Sequence, residues 1–340
     1  MQKNNNLVFI DIYEESIRNC EEFRAFKDFY NIFPYSIETS TKELLRSKKR
    51  ILFLEIKNIF KMFLHQNIFK NKIIYLNGLH LSSLLYFKFR GRNHGLGRVV
   101  ISNLYFHKII LNKYFNLLLK FLFYKKDYFI VVQSPSEVNF FRLVGPSLEI
   151  SLIPYAMPEI KIHPLKKLEG NYFFSGGYTN RDYPLLFDVA KLFPRETFIV
   201  AASKLNSINF GNLPSNVRLY IDILPDDFNS LILNSKCVII PLMDDVGSSG
   251  QMLCQAAMQM SKPIIYADFN VVSQYFISNN SGIPYNPGDI NSLSNALGHF
   301  INLDSILRQD MGNKAYSNYR DFFTNTSRIK SIINYLNSIG

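Results

Sequence analysis

Val238–Asp268 reads VIIPLMDDVGSSGQMLCQAAMQMSKPIIYAD, and its alternation decides the fold class. Val238–Pro241 and Pro263–Ala267 are short apolar runs suited to buried parallel strands, while Gln251–Met260 has the length and composition of a helix. Between the first strand and the helix lies Gly247-Ser248-Ser249-Gly250. Small residues there let a ligand approach the backbone, and the free N–H groups of the following helix point at any anion that arrives. The stretch reads as strand, loop, helix and strand, with a phosphate cradle at the bend.

The same alternation runs through the second half. Strands are expected at Asn171–Ser175, Thr197–Ala201, Val217–Ile221 and Cys237–Pro241, with helices at Pro184–Leu192, Asp226–Asn234, near Val271–Ile277 and at Ile290–Asn302. This is a doubly wound α/β pattern, whose ligands sit beyond the carboxyl ends of the strands. A second glycine loop falls at such an end, in Asn171–Asp182, NYFFSGGYTNRD. There Gly176-Gly177 turn the chain, and Arg181 follows where a guanidinium could reach phosphate oxygens. The plainer alternative is that the glycines only turn the chain and Arg181 is solvated.

In the first half, Leu7–Ile12, Lys72–Leu76, Arg98–Ser102, Tyr128–Gln133 and Ile150–Pro154 read as strands. Helices are expected at Ile51–His65, Leu79–Phe89, Tyr105–Tyr124 and Ser136–Leu143. Tyr155–Gly170, with Pro158, Pro164, Lys166 and Lys167, lacks periodicity and reads as a linker. The expected division is a Rossmann-like domain over 1–155, a linker over 156–170, a second Rossmann-like domain over 171–325 and a last helix over 326–340.

With 340 residues, 47% of them hydrophobic, the chain can bury two cores. The opening MQKNNNLVFIDIYEES breaks its apolar run with Asp11, Glu14 and Glu15, unlike a signal peptide, and no apolar run reaches the roughly 18 residues of a membrane span. Cys20, Cys237 and Cys254 are far apart, which argues for reduced thiols, a cytoplasmic location and no thiolate metal site. The net charge of +11 is unevenly placed: residues 1–150 hold 23 Lys and Arg against 12 Asp and Glu, and the remainder is balanced. A coding bias would act on both halves alike, so the confinement favours an anionic partner, membrane phospholipid or nucleic acid. In Tyr105–Tyr124, Lys108, Asn112, Asn116 and Lys120 make a narrow polar stripe that could lie in a membrane interface or be one wet edge of a buried helix.

Taken in order, several segments resemble the C-terminal domain of GT-B glycosyltransferases, particularly glycosyltransferase family 4. SGGYTNRD is similar to the family's first strand and loop, VRLYIDILPDDFNSLILNSKCVIIP to the elements framing the nucleotide base, and GSSGQMLCQAAMQMSKPIIYAD to the diphosphate-binding helix with its following strand. SGIPYNPGDINSLSNAL, Ser281–Leu297, resembles the segment ahead of a later helix. Upstream, FIVVQSPS and ISLIPYAM resemble the last strands of the family's N-terminal domain. The resemblance implies the GT-B fold, two doubly wound Rossmann-like domains facing each other across a cleft, with the acceptor bound by residues 1–155 and the nucleotide sugar by 171–325. One departure matters. The family's two glutamates, eight positions apart, correspond to Ser248 and Ala256, so the usual sugar contacts are missing.

The resemblance further implies a hexosyltransferase that uses a UDP- or GDP-linked sugar as co-substrate and no other cofactor. Its acceptor would be a saccharide or polyprenol-linked glycan in cell-surface polysaccharide synthesis, such as lipopolysaccharide or capsule, at the inner face of the plasma membrane. Gly176, Gly177, Arg181, Asp222, Ser249, Gly250 and Gln251 would hold the donor, with Arg181 and the helix at Gln251 stabilising the departing diphosphate. Retention of configuration is implied, and without an Asp-x-Asp triplet catalysis needs no metal. Asp244-Asp245 read as a solvated turn and Asp226-Asp227 as a helix N-terminus. His80, Asn103 and His107 follow strand ends on the acceptor side, and His80, after Asn77-Gly78, is the first candidate base. Competing readings are a sugar-nucleotide epimerase of the same fold, a basic nucleic-acid-binding protein, and a nucleotide-sugar-binding scaffold without activity.

Overall fold

The computed structural model describes residues 6–11, 20–36, 48–78, 80–90, 97–103, 113–123, 128–161, 171–206, 213–245, 249–275 and 281–339. The chain divides into an N-terminal unit, Met1–Pro154 with Ile329–Gly340, and a C-terminal unit, Tyr155–Arg328.

The N-terminal unit is built on six parallel strands: β1 (Asn6–Asp11), β2 (Asn31–Ser36), β3 (Ile73–Asn77), β4 (Val99–Ser102), β5 (Phe129–Val132) and β6 (Glu149–Leu152). Their order is β2-β1-β3-β4-β5-β6, so the chain steps outward once and then runs steadily the other way. Right-handed crossovers therefore put helix α1 (Glu21–Phe26) on one face and α2 (Lys48–Leu64), α3 (Leu81–Arg90), α4 (Lys113–Phe123) and α5 (Pro135–Val144) on the other. The cores agree. Leu7, Phe9 and Tyr75 pack with Phe23 and Phe26 of α1, whereas Val8, Ile10, Ile74 and Leu76 pack with Met62, Leu84, Phe87, Leu119 and Phe141. The inner strands β1, β3, β4 and β5 divide their residues between two apolar layers, which explains why their runs are continuous rather than alternating.

The C-terminal unit repeats the plan with β7 (Tyr172–Gly177), β8 (Thr197–Ala202), β9 (Val217–Ile221), β10 (Cys237–Ile240), β11 (Ile264–Ala267) and β12 (Gly282–Tyr285), in the order β12-β11-β10-β7-β8-β9. All five pairings are parallel. The helices are α6 (Tyr183–Leu192), α7 (Pro225–Leu233), α8 (Gln251–Gln259), α9 (Asn270–Ser273), α10 (Ile290–Asn302) and α11 (Ser305–Asn318). Their starts are written locally: Asp182, Asp289 and Asp304 each accept a backbone N–H of the first turn, and prolines open α6 and α7. The reversal of strand order falls between β7 and β10, the place where such sheets bind ligands.

Two strands and two helices were not foreseen. β2 contains Pro34 and β12 contains Pro284, and both are edge strands, where a missing N–H costs no ladder bond. The helices are the short α1 and the polar α11. The helix expected over Tyr105–Tyr124 is described only as Lys113–Phe123, and its stripe also departs from expectation. Asn116 is half-buried and Lys120 exposed, but Tyr114, Leu117 and Phe121 are exposed too, so the outward face is largely apolar; Lys108 and Asn112 lie outside the described residues.

The last helix, α12 (Asn325–Ile339), runs into the N-terminal unit, burying Ile332, Ile333, Leu336 and Ile339 against the β1–β3 face. Of the stretch read as a linker, residues 155–161 are stitched to α8. Gln255 donates to the Tyr155 carbonyl at 2.7 Å and accepts the Met157 N–H at 2.7 Å. One turn on, Gln259 donates to the Pro158 carbonyl at 3.2 Å and accepts the Ile160 N–H at 2.8 Å. Two glutamine amides four residues apart thus stand in for a neighbouring strand. Residues 162–170 lie outside those described.

Candidate functional site

In the C-terminal unit the two glycine loops follow adjacent strands, and the first is bonded to the exit of the second strand. The loop after β7 runs back along the exit of β10: the Asp182 N–H donates to the Pro241 carbonyl at 3.0 Å, Arg181 bridges Leu242, and the Asn180 amide donates to the Asp244 carbonyl at 3.0 Å. Gly177 has φ +140°, and a Cβ there would overlap the Arg181 guanidinium. Gly250, at φ +85°, is the N-cap of α8 and lies against Ile240 and Val272. Only glycine holds both turns without strain.

Arg181 is buried, its Nε donating to the Gly176 carbonyl at 2.9 Å and its Nη1 to the Thr179 carbonyl at 3.0 Å. Neither sequence alternative is met in full: the side chain is not solvated, and two of its donors already hold the loop. Burial works against its charge, and the tyrosines 183 and 285 favour it. Among the described residues no carboxylate pairs with it. A buried guanidinium without an anion costs several kcal/mol, roughly speaking. The structure therefore holds a positive charge under the glycine loop that an arriving anion would neutralise.

The second positive element is the start of α8. No side chain among the described residues caps it, and its first turn contains no acidic residue to offset the positive end of its dipole. Ser249 is half-buried, Gln251 buried, and Ala256 faces the core. Ser248 is outside the described residues.

Asp222 ends β9, two strands from β7 at the same carboxyl edge. It is exposed in a left-handed turn at φ +50°, and its carboxylate accepts the Lys204 N–H at 3.3 Å. Asp226 and Asp227 sit in the first turn of α7. Asp245 is not a solvated turn residue: its carboxylate accepts the Val271 N–H at 2.9 Å and the Asn270 amide at 3.0 Å, fastening the β10 exit to α9.

The N-terminal unit carries a different arrangement. Asp11, Asn77, Asn103 and Gln133 end or follow β1, β3, β4 and β5, neighbours in the sheet, and their side chains form one polar chain. The Asn77 amide donates to Asp11 at 2.6 Å, the Asn103 amide donates to Asn77 Oδ1 at 2.5 Å, and the Gln133 amide donates to Asn103 Oδ1 at 3.4 Å. Asn103, in a left-handed conformation at φ +55°, also donates to Glu22 at 3.3 Å. Cys20 donates to Glu22 at 3.0 Å, and burial first, then that carboxylate, pushes its thiol up to about 12.

His80 borders this chain but is buried, its Nε2 3.0 Å from the Asn77 carbonyl. A carbonyl only accepts, so Nε2 carries the proton and the ring is held across the turn. Burial lowers its pKa, while the Asn77 carbonyl, Asp11 and Glu55 act the other way. His107 lies outside the described residues.

With both sites in place, the comparisons with known proteins bear on the architecture. No protein-family model matches the chain, and no curated protein sequence matches it. Solved structures do match. Sucrose-phosphate synthase (tll1590) from Thermosynechococcus elongatus superposes with a TM-score of 0.69 at 12% identity, over 98% of each chain. A glycosyltransferase from Rickettsia africae ESF-5 gives 0.67 at 10% identity over 99% of each, and Anabaena Alr3699/HepE in complex with UDP-glucose gives 0.65 at 13%, over 98% of this chain and 99% of that one. The fold is GT-B.

Three features of this GT-B chain escaped the sequence. Tyr285, at the end of β12, is buried with no hydrogen bond to its hydroxyl among the described residues, and the nearby charges are Asp182 and Arg181. Phe228 of α7 lies under Gly176, where a Cβ would come within 2.5 Å of its ring. Asp11, Asn77 and Gln133 shared one signal, a single polar residue at the carboxyl end of an apolar strand.

Proposed function

We propose that this chain is a glycosyltransferase that moves a sugar from a UDP- or GDP-linked donor onto a saccharide or lipid-linked acceptor in cell-surface polysaccharide synthesis. The observation that carries the reading is the pair of positive elements at the β7/β10 switch point: a buried guanidinium and a helix start behind a left-handed glycine, with neither a carboxylate on the first nor a side-chain cap on the second among the described residues. Charge develops on the diphosphate as the sugar leaves, and fixed donors aimed there lower the barrier without reorganising. The fold similarity to HepE, crystallised with UDP and with UDP-glucose, supports a nucleotide sugar.

In this reading Gly176, Gly177, Ser249, Gly250 and Gln251 offer backbone to the diphosphate, Arg181 sets the loop and its charge, and Asp222 lies on the base side. The polar chain from Asp11 to Gln133, with Asn103, receives acceptor hydroxyls. The acceptor oxygen bonds to the anomeric carbon as the bond to phosphate breaks. The acceptor proton passes to the departing diphosphate on the same face, so configuration is retained and no strong enzymic base is needed. That suits a His80 already committed to Asn77. A metal-independent reaction fits Asp245, whose carboxylate is spent on α9.

Incubation with a panel of uracil- and guanine-based sugar nucleotides, with and without saccharide and polyprenol-phosphate acceptors, tests the proposal. Release of nucleoside diphosphate, faster with one acceptor and unchanged by chelator, is expected. Turnover of none of these donors would refute it.

A further inference from the structure

Helices α2, α3 and α4 cover one face of the N-terminal sheet, and their inward sides supply Met62, Leu84, Phe87, Leu119 and Phe123 to the core. Their outward sides ought to be polar. Instead α2 exposes Phe53, Phe60 and Leu64 along one stripe, and α4 exposes Tyr114, Leu117 and Phe121 at helical spacing. Phe89 of α3 joins them, its ring 6.5 Å from that of Phe121, while Phe63 meets Tyr86 at 5.0 Å and ties α2 to α3. Exposed apolar side chains scattered singly need no explanation, but a run across three packed helices does.

The charge on this face decides what covers it. The three helices hold nine Lys and Arg against one acid, Glu55, and that carboxylate is turned to the Ser82 N–H at 2.8 Å. Lys57 and Lys120 are exposed beside the rings, and Lys88 lies 5.1 Å from the centre of the Phe121 ring. A second copy would bring Lys57, Lys88 and Lys120 against the same three lysines. Rings flanked by lysines suit a bilayer interface, where aromatic side chains sit at the headgroups and ammonium groups reach phosphate. Among the described residues no helix is long and apolar enough to cross a membrane, so the contact is one of lying on the surface.

We propose that the α2–α4 face docks the protein peripherally on a bilayer containing anionic phospholipid, with Phe53, Phe60, Phe89 and Phe121 in the headgroup layer and Lys57 and Lys120 on the phosphates. The proposal does not rest on the glycosyltransferase reading.

Sedimentation of the full chain with vesicles of phosphatidylcholine, alone or mixed equally with phosphatidylglycerol, tests it. Binding to the mixed vesicles, weakened by salt and nearly absent on phosphatidylcholine, is expected. Each lysine near such a surface contributes roughly fivefold, so the Lys57→Glu, Lys120→Glu double variant should bind at least about twentyfold more weakly. Phe60→Ser with Phe121→Ser should lose several-fold, whereas Phe322→Ser, exposed on the C-terminal unit, should change nothing. Because every substituted side chain is exposed, thermal melts report whether a variant has kept its fold. No binding, equal binding to both vesicles, or undiminished binding by both face variants would overturn the proposal. So would dimerisation without vesicles that the same variants abolish, or tighter binding to duplex DNA than to vesicles.

Discussion

Met252 is the second residue of α8 and is exposed, beside N–H groups that no side chain among the described residues caps. A glutamate there favours the helix dipole in the free protein and repels an incoming diphosphate. Met252→Glu should therefore raise the stability of the free chain by about 0.3–1 kcal/mol while weakening nucleoside diphosphate binding about fivefold or more. Paired thermal melts and titrations read the two opposite signs; movement of both in one direction would refute the anion site. His80 gives a pH signature. Its folded pKa is lowered by burial, so near pH 6.5 the unfolded chain takes up a proton that the folded chain refuses. Stability should be indifferent to this group above about pH 6.5 and fall as the pH drops below it. His80→Gln should flatten that slope in urea titrations between neutral and acid pH, even if it lowers stability throughout.

At the scale of elements, α8 has two ends with two uses. Its start lies beside the glycine loops with no side-chain cap among the described residues, and Gln255 and Gln259 further along hold residues 155–160. Gln255→Ala removes a buried donor and acceptor together, leaving the Met157 N–H and Tyr155 carbonyl without them, and should cost about 1–3 kcal/mol in urea unfolding. An unchanged midpoint would show that the amide ladder contributes nothing. Such ladders are not legible from sequence, because Gln255 and Gln259 look like any polar pair on a helix. What was legible had a local cause. The strands rich in Val, Ile and Phe announced themselves. β2 and β12 did not, because Pro34 and Pro284 make an edge strand look like a turn.

Across the whole molecule, each sheet places its polar residues at the carboxyl edge, but with opposite character. The C-terminal unit gathers N–H groups and a buried cation, and the N-terminal unit gathers Asp11, Glu22, Asn77, Asn103 and Gln133. Under the proposed function, anion recognition falls to the first and hydroxyl recognition to the second. The glycine loops could be found in the sequence, because Gly176-Gly177 and Gly250 stand at strand and helix boundaries. Arg181 could be named but its burial could not, since its acceptors are carbonyls that only the folded loop brings round. The polar chain of the N-terminal unit was half legible, through Asn103 alone, because a lone polar residue ending a strand is common.

The central claim is that the β7/β10 end of the C-terminal unit binds a nucleoside diphosphate. Calorimetric titration of the full chain with UDP, GDP and the corresponding monophosphates tests it most directly. One diphosphate should bind at least about tenfold more tightly than its monophosphate, a difference of roughly 1.4 kcal/mol, and less tightly to Met252→Glu. Failure of both diphosphates to bind, or equal affinity for mono- and diphosphate, would contradict it.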